Sequence, residues 1–322
     1  MKRIILRSTL SLAIITLLLA GLISGAHAEE VAKTPGGITE EKVRFANEES
    51  GLTLSGILFT SEALDRSAAN PAVIVTGPML SVKEQAQSIY ARRLAAAGYV
   101  TMVFDYSYFG ESEGEPRSLE VPDIKAGDIH SAVSFLQSLD YVDADRIGGI
   151  GICGSGSYMP FAAVSDERIK AVVSVVPAIV MDSFLYLPIE QAQQEKAAYE
   201  ADGTTPSYID LMPQAYAEGA AYYYNKDRGW RDNWSNLAVG FSELSWADFH
   251  PAEWISQLKA PYLVITSTNA WTRSGAEAMY NNAVSDKEFH MVEGAGHFDM
   301  YDLEPYVTEN TEVILDFFGR KL

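Results

Sequence analysis

From Ala72 onward, short runs rich in β-branched and apolar residues alternate with longer runs of helical character. The strand candidates are Ala72–Thr76, Val100–Phe104, Ile147–Ile152, Ala171–Val176, Tyr262–Thr266 and Glu288–Val292. The helix candidates lie near residues 83–97, 123–138, 155–163, 274–283 and 308–318. A strand that returns parallel to its predecessor needs a crossover of a dozen or more residues, which a helix supplies. This order therefore predicts an α/β fold, a mostly parallel sheet with helices on both faces. Residues 43–59 alternate in short runs around Glu48-Glu49-Ser50-Gly51, which predicts an N-terminal antiparallel hairpin extending one sheet edge. The interval 181–250 breaks the rhythm, with helical stretches such as Pro188–Ala201 and aromatics at Tyr222, Tyr223, Tyr224, Trp230 and Trp234. An ordered insertion between two strands reads as a helical cap over a site, or as a cover for exposed sheet.

Charge narrows the partners. The chain carries 24 Lys+Arg against 43 Asp+Glu, a net charge of -19. Binding to a nucleic-acid backbone relies on Lys and Arg neutralising phosphates, so a nucleic-acid partner is excluded, and an anionic membrane surface fits poorly. Residues 1–28 read as a secretory signal peptide. Lys2, Arg3 and Arg7 form a basic start, Leu10 to Leu22 is apolar apart from Ser11, Thr16 and Gly21, and Ala26-His27-Ala28 supplies small residues for cleavage. The apolar run is shorter than the roughly 20 residues of a membrane span. The expectation is a domain over residues 29–322, periplasmic or secreted, with no stable membrane insertion after cleavage.

Cys153 is the single cysteine, so no internal disulfide forms. It stands in Gly151-Ile152-Cys153-Gly154-Ser155-Gly156, directly after a strand candidate and at the start of a helix candidate. This is the layout of a nucleophile elbow, a sharp strand-to-helix turn that projects one side chain above the sheet. The small neighbours leave room for the turn, and the helix N-terminus favours a thiolate and an oxyanion held by the NH of Gly154. A rival register would make Ser155 the nucleophile, but Ser155 lacks a Gly two residues upstream.

A nucleophile needs a base. His130 and His290 fall within a helix and a strand candidate, and His250 precedes Pro251. His297 lies in Glu293-Gly294-Ala295-Gly296-His297-Phe298, a loop straight after the last strand candidate. A parallel sheet brings that loop to the same carboxyl edge as the elbow, which makes His297 the expected base. Thr76-Gly77-Pro78-Met79-Leu80 follows the first strand of the alternating region, where elbow enzymes supply a second oxyanion donor. Pro78 has no NH to give. The expected donor is the NH of Met79, with Leu80 as the alternative.

With the elbow, three further segments carry a resemblance: Gly77-Pro78-Met79-Leu80-Ser81-Val82-Lys83-Glu84-Gln85, Phe104-Asp105-Tyr106-Ser107-Tyr108-Phe109-Gly110-Glu111-Ser112 and Gly296-His297-Phe298-Asp299-Met300-Tyr301-Asp302. The chain resembles the α/β-hydrolase superfamily, and within it the dienelactone-hydrolase-like branch with a cysteine nucleophile. The resemblance implies an ester, lactone or thioester substrate, a small acyl molecule attacked without metal or organic cofactor. It also implies a carboxylate just after the penultimate strand, where Ser267-Thr268-Asn269-Ala270-Trp271-Thr272 contains none. Glu277 in the next helix is the expected substitute, Asp182 the alternative, and a Cys153–His297 dyad without an acid also works. Asp105 and Glu111 are expected to brace the loop near the elbow. The same residues would serve an acyltransferase, and a non-catalytic ligand-binding protein on this fold is the remaining alternative. The sequence leaves the oligomeric state open.

Overall fold

In the computed structural model, which describes residues 27–34, 37–178 and 186–322, nine strands form one sheet. In chain order the first elements are β1 (His27–Thr34), β2 (Ile38–Ala46), β3 (Thr53–Ser61), β4 (Asn70–Thr76), α1 (Ala86–Ala96), β5 (Val100–Phe104), α2 (Pro122–Gln137), β6 (Val142–Ile152), α3 (Ser155–Ser165) and β7 (Ile169–Val175). Between β7 and the next sheet strand come α4 (Ile189–Asp202), β8 (Tyr208–Asp210), α5 (Ala217–Tyr223), β9 (Leu237–Val239), α6 (Glu243–Ala247) and α7 (Pro251–Trp254). The chain closes with β10 (Tyr262–Ser267), α8 (Arg273–Asn282), β11 (Lys287–Val292), α9 (Asp299–Asp302) and α10 (Tyr306–Lys321). Most of the expected signal peptide, and Asp182, lie outside the described residues.

The strand order is β1-β2-β3-β5-β4-β6-β7-β10-β11. The six strands from β5 to β11 pair in parallel, whereas β1, β2 and β3 are antiparallel to their neighbours. The expected hairpin is β2–β3, with Phe45 opposite Leu54. β1 adds an edge strand beyond it, beginning at His27 inside the segment read as a signal peptide.

Helices on both faces explain why the central strands read as unbroken apolar runs. Val73 and Val75 of β4 share one core with Tyr90 and Leu94 of α1 and Ile314 and Phe317 of α10. Ile74, pointing the other way, shares a second core with Ile129 and Val133 of α2, Met159 of α3 and Met279 of α8. Chain direction across the sheet reverses at β4, because β5 lies on one side of it and β6 on the other. Ligand crevices in open α/β sheets form at such a reversal, at the carboxyl ends of the strands. Those ends carry the Gly77–Leu80 loop and the elbow.

The interval before β10 holds a two-stranded antiparallel pair, β8–β9, that the helical reading omitted. Each strand is three residues long, too short for an alternating pattern to register in sequence. Buried contacts attach this interval to the main sheet. Trp246 Nε1 donates to the Glu120 carbonyl at 3.0 Å, and Gln85 Nε2 donates to the Gly229 carbonyl at 2.6 Å. Among the described residues, no helix is long and apolar enough to cross a membrane.

Candidate active site

β6 ends at Ile152, α3 begins at Ser155, and Cys153 between them sits at φ 56°. A non-glycine residue in that region is strained and persists only where its surroundings hold it. Three backbone hydrogen bonds do so: Cys153 N–H to the Val175 carbonyl (3.0 Å), and the Gly156 and Ala178 N–H groups to the Cys153 carbonyl (2.9 Å each). The turn is tight enough that a Cβ at Gly151 would lie 1.8 Å from the Ser155 carbonyl oxygen. A Cβ at Gly154 would lie 3.1 Å from the Met79 nitrogen, so the elbow and the Gly77–Leu80 loop nearly touch.

That proximity sets both expected oxyanion donors beside Cys153, where the Gly154 and Met79 N–H groups favour its thiolate. The Leu80 N–H is turned away, pointing at Glu120 Oε2 (3.4 Å) with Leu80 at φ 61°. Glu120 is itself buried, pairs with Lys125 at 2.6 Å and accepts from the Tyr158 hydroxyl at 2.9 Å. Lys125 Nζ also lies 4.4 Å from the Tyr106 ring centroid and 4.6 Å from that of Phe109. A buried ion pair with aromatic walls thus supports the oxyanion loop from beneath. Ser155, the rival nucleophile, is fully buried and bonded to the Tyr106 hydroxyl at 3.0 Å.

His297 is fully buried, and each of its ring nitrogens meets a hydroxyl. Nδ1 lies 2.9 Å from Thr272 Oγ1, and Nε2 lies 2.9 Å from the Tyr301 hydroxyl. Tyr301 in turn lines the same cleft as Cys153, and its hydroxyl favours the Cys153 thiolate. The structure therefore brings Cys153, Met79, Gly154 and His297 into one cluster, with Tyr301 between the thiol and the imidazole. Glu277 is a correction: its carboxylate is half-exposed and paired with Arg273 at 2.8 Å, and Thr272 occupies the position an acid would take at Nδ1. Glu277 lies one helical turn from Arg273, so its nearest partner is on its own helix. Tyr301 and Thr272 escaped the sequence reading. Tyr301 lies four residues past His297, in the first turn after its loop, and Thr272 ends the segment 267–272 in which the resemblance implies an acid.

The other expectations resolve locally. Asp105 takes both the backbone N–H and the Nζ of Lys83 at 2.7 Å, and Glu111 takes the same Nζ at 2.7 Å, bracing the loop as expected. His130 Nε2 meets the Ala162 carbonyl at 3.0 Å, His290 Nε2 meets Glu309 at 2.8 Å, and His250 precedes α7.

Burial sets the protonation of the pair. It pushes the Cys153 thiol up to about 11, against the opposing pull of Tyr301 and the Gly154 and Met79 N–H groups. Burial also pulls His297 down to about 3. The resting pair is a neutral thiol and a neutral imidazole. The low His297 value has a consequence for stability, because the unfolded chain binds this proton below about pH 6.5 and the folded chain does not until about pH 3. Its contribution is complete above pH 6.5 and is lost on acidification at about 1.4 kcal/mol per pH unit. Asp128 acts in the opposite sense, since burial raises it to about 6 and its protonation favours the folded state as pH falls. Urea unfolding at pH 7 and pH 5 isolates the histidine: wild type loses on the order of 2 kcal/mol more than His297→Gln across that interval.

The cleft above the thiol is narrow, with a cavity volume of about 40 Å³. Its walls include Leu80, Leu211, Met212, Trp234, Trp271 and Phe298, and, among the described residues, no charged side chain. Leu211, Met212 and Trp234 come from the interval between β7 and β10.

Comparison with known proteins adds the following. Residues 81–308 match the model described as "Alpha/beta hydrolase family". The chain is 31% identical over 305 residues to "Uncharacterized protein YcjY" of Escherichia coli (strain K12), covering 87% of this chain and 99% of that one. It is 24% identical over 267 residues to a protein named "Thiohydrolase" from Eupenicillium brefeldianum, covering 78% and 85% of the two chains. The crystal structure of hypothetical protein PA2218 from Pseudomonas aeruginosa superposes with a TM-score of 0.80 at 29% identity, covering 91% of this chain and 100% of that one.

Proposed function

The chain belongs to the alpha/beta hydrolase family, and from that premise we propose that it hydrolyses a neutral, apolar ester, lactone or thioester through an acyl-enzyme on Cys153. The observation that carries this reading is the thiol's position, at φ 56° on the elbow with the Gly154 turn packed against the Met79 backbone nitrogen. N–H donors already set there stabilise the oxyanion of a tetrahedral intermediate without reorganising, because the carbonyl oxygen arrives beside the thiol they flank.

Cys153 attacks the carbonyl carbon while His297 serves as the ultimate proton acceptor. Collapse of the intermediate expels the alcohol or thiol, which leaves with a proton returned from His297. Water then attacks the acyl-enzyme with the same base and the same donors, releasing the acid and restoring the thiol. A thiol suits a site whose histidine has a hydroxyl rather than a carboxylate partner, since it needs less activation than a serine hydroxyl. The apolar cleft favours a neutral acyl group, because an ionised one would be desolvated there among described residues that carry no charge. The thiohydrolase relative supports including thioesters among the substrates.

Mass spectrometry of acid-quenched mixtures with p-nitrophenyl butyrate and with a butyryl thioester of N-acetylcysteamine tests this. The expected result is a butyryl adduct on the peptide containing Cys153, together with steady release of butyrate. Ligand-induced thermal stabilisation with neither adduct nor product would overturn it in favour of a binding protein. Transfer of the butyryl group to an added alcohol in place of water would overturn it in favour of an acyltransferase.

A further inference from the structure

His297 is not part of the cleft wall, whereas Cys153 and Tyr301 both are. The imidazole nitrogen that would receive a proton from the nucleophile, Nε2, is covered by the Tyr301 hydroxyl at 2.9 Å. Counting donors along the chain of contacts gives it a direction. Thr272 Oγ1 donates to the Val176 carbonyl (3.3 Å), so it accepts from Nδ1–H of His297. Nε2 is then the unprotonated nitrogen, and the Tyr301 O–H donates to it. That leaves the Tyr301 oxygen free to accept a proton from Cys153, with which it lines the cleft. Resting on the acyl-enzyme reading above, we propose that Tyr301 is a catalytic residue, its hydroxyl carrying the Cys153 proton to His297 in a Cys–Tyr–His relay.

As the sulfur bonds to the carbonyl carbon, the S–H bond breaks and its proton passes to the Tyr301 oxygen. The Tyr301 O–H bond breaks in the same step and its proton passes to Nε2. The products are a neutral tyrosine, an imidazolium and a tetrahedral oxyanion held by Gly154 and Met79. Breakdown runs the relay backwards, with the Nε2 proton reaching the leaving oxygen or sulfur through Tyr301 as the carbon–heteroatom bond breaks. Burial holds the Tyr301 phenol far above its usual range, so the two transfers are concerted and no free phenolate forms.

The relay is held on several sides. Tyr301 sits on α9, with its ring edge-on to Tyr222 (5.0 Å between centroids) and to Phe298 (5.3 Å). Arg228, from the interval between β7 and β10, pairs with Asp302 beside it at 2.6 Å. Glu218 of α5 accepts the His297 backbone N–H at 3.0 Å. Tyr301→Phe keeps the ring packing and removes only the hydroxyl.

The test uses p-nitrophenyl butyrate, with acylation rates measured in mixtures of H2O and D2O. Tyr301→Phe is expected to lower the acylation rate about 100-fold or more, within the range for losing a proton-transfer group. KM should change little, the double variant with His297→Gln should be no slower than the slower single variant, and wild type should give a curved proton inventory that becomes linear in Tyr301→Phe. A Tyr301→Phe rate within threefold of wild type, alongside an inactive Cys153→Ala, would overturn the relay and leave the acyl-enzyme reading standing. Undiminished turnover by Cys153→Ala would overturn that reading itself. A linear inventory in wild type, which needs no variant to fold, would reduce Tyr301 to a positioning residue and overturn the relay.

Discussion

Cys153→Ala lowers kcat/KM for p-nitrophenyl butyrate by about 10⁴-fold or more, the scale seen when a nucleophile is removed from an otherwise intact site. The expected loss is this large because the described neighbours offer no substitute. Ser155 is buried against Tyr106, and Tyr301 holds a phenol that burial keeps protonated. Folding should be nearly unaffected, since the variant removes one sulfur atom and the strained φ of 56° is retained by three backbone hydrogen bonds. A melting temperature within a few degrees of wild type, measured beside the kinetics, makes the loss a statement about chemistry. Cys153→Ser is also slow, by about 100-fold or more, because a hydroxyl is harder to deprotonate than a thiol and His297 has the Thr272 hydroxyl at Nδ1. If the serine variant matched wild type, the thiol would carry no special role.

Gly151→Ala is expected to cost more than about 4 kcal/mol of stability, within the exceptional tail of single substitutions. The new methyl would lie 1.8 Å from the carbonyl oxygen of Ser155 and 2.3 Å from its carbonyl carbon. Both are backbone atoms of the first turn of α3, so relief requires moving the helix start, and with it Cys153 and the Gly154 N–H. Stability and turnover therefore fall together. Gly319→Ala in α10 is the control, because its Cβ meets nothing within 4 Å and helix propensity favours alanine by about 1 kcal/mol. Urea denaturation of the two variants checks the contrast, and a Gly151→Ala midpoint equal to wild type would show that the elbow yields more readily than its geometry implies.

Which features were legible beforehand follows from how far apart the interacting residues lie. The six parallel strands and their crossover helices were legible because each signal sits within one short window. Burial of both sheet faces makes β4 and β10 continuous apolar runs, and the crossovers are long enough to be helices. The elbow was legible for the same reason, since glycines around one cysteine between strand and helix form a local signature. The pair β8–β9 was not, because two three-residue strands whose paired residues lie between 27 and 31 positions apart leave no periodic trace. The acid followed the same logic. Counting along the chain leads to Ala270 and then to Glu277, but a carboxylate seeks the nearest cation, and Glu277 finds Arg273 on its own helix.

The sequence by itself determined the succession of strands and crossover helices along the chain, the hairpin before them and the placing of Cys153, Met79 and His297 on loops at one carboxyl edge. Those features depend on periodicity, turn chemistry and chain direction, all of which are written in contiguous residues. Only the tertiary structure decided that His297 bonds Thr272 rather than an acid, and that Tyr301 stands between it and the thiol. Those partners are chosen by how α9 packs against Tyr222 and Phe298 and by which loops meet beneath the cleft. A hydrogen bond forms between groups that packing brings within 3 Å or so, and no local pattern encodes that distance.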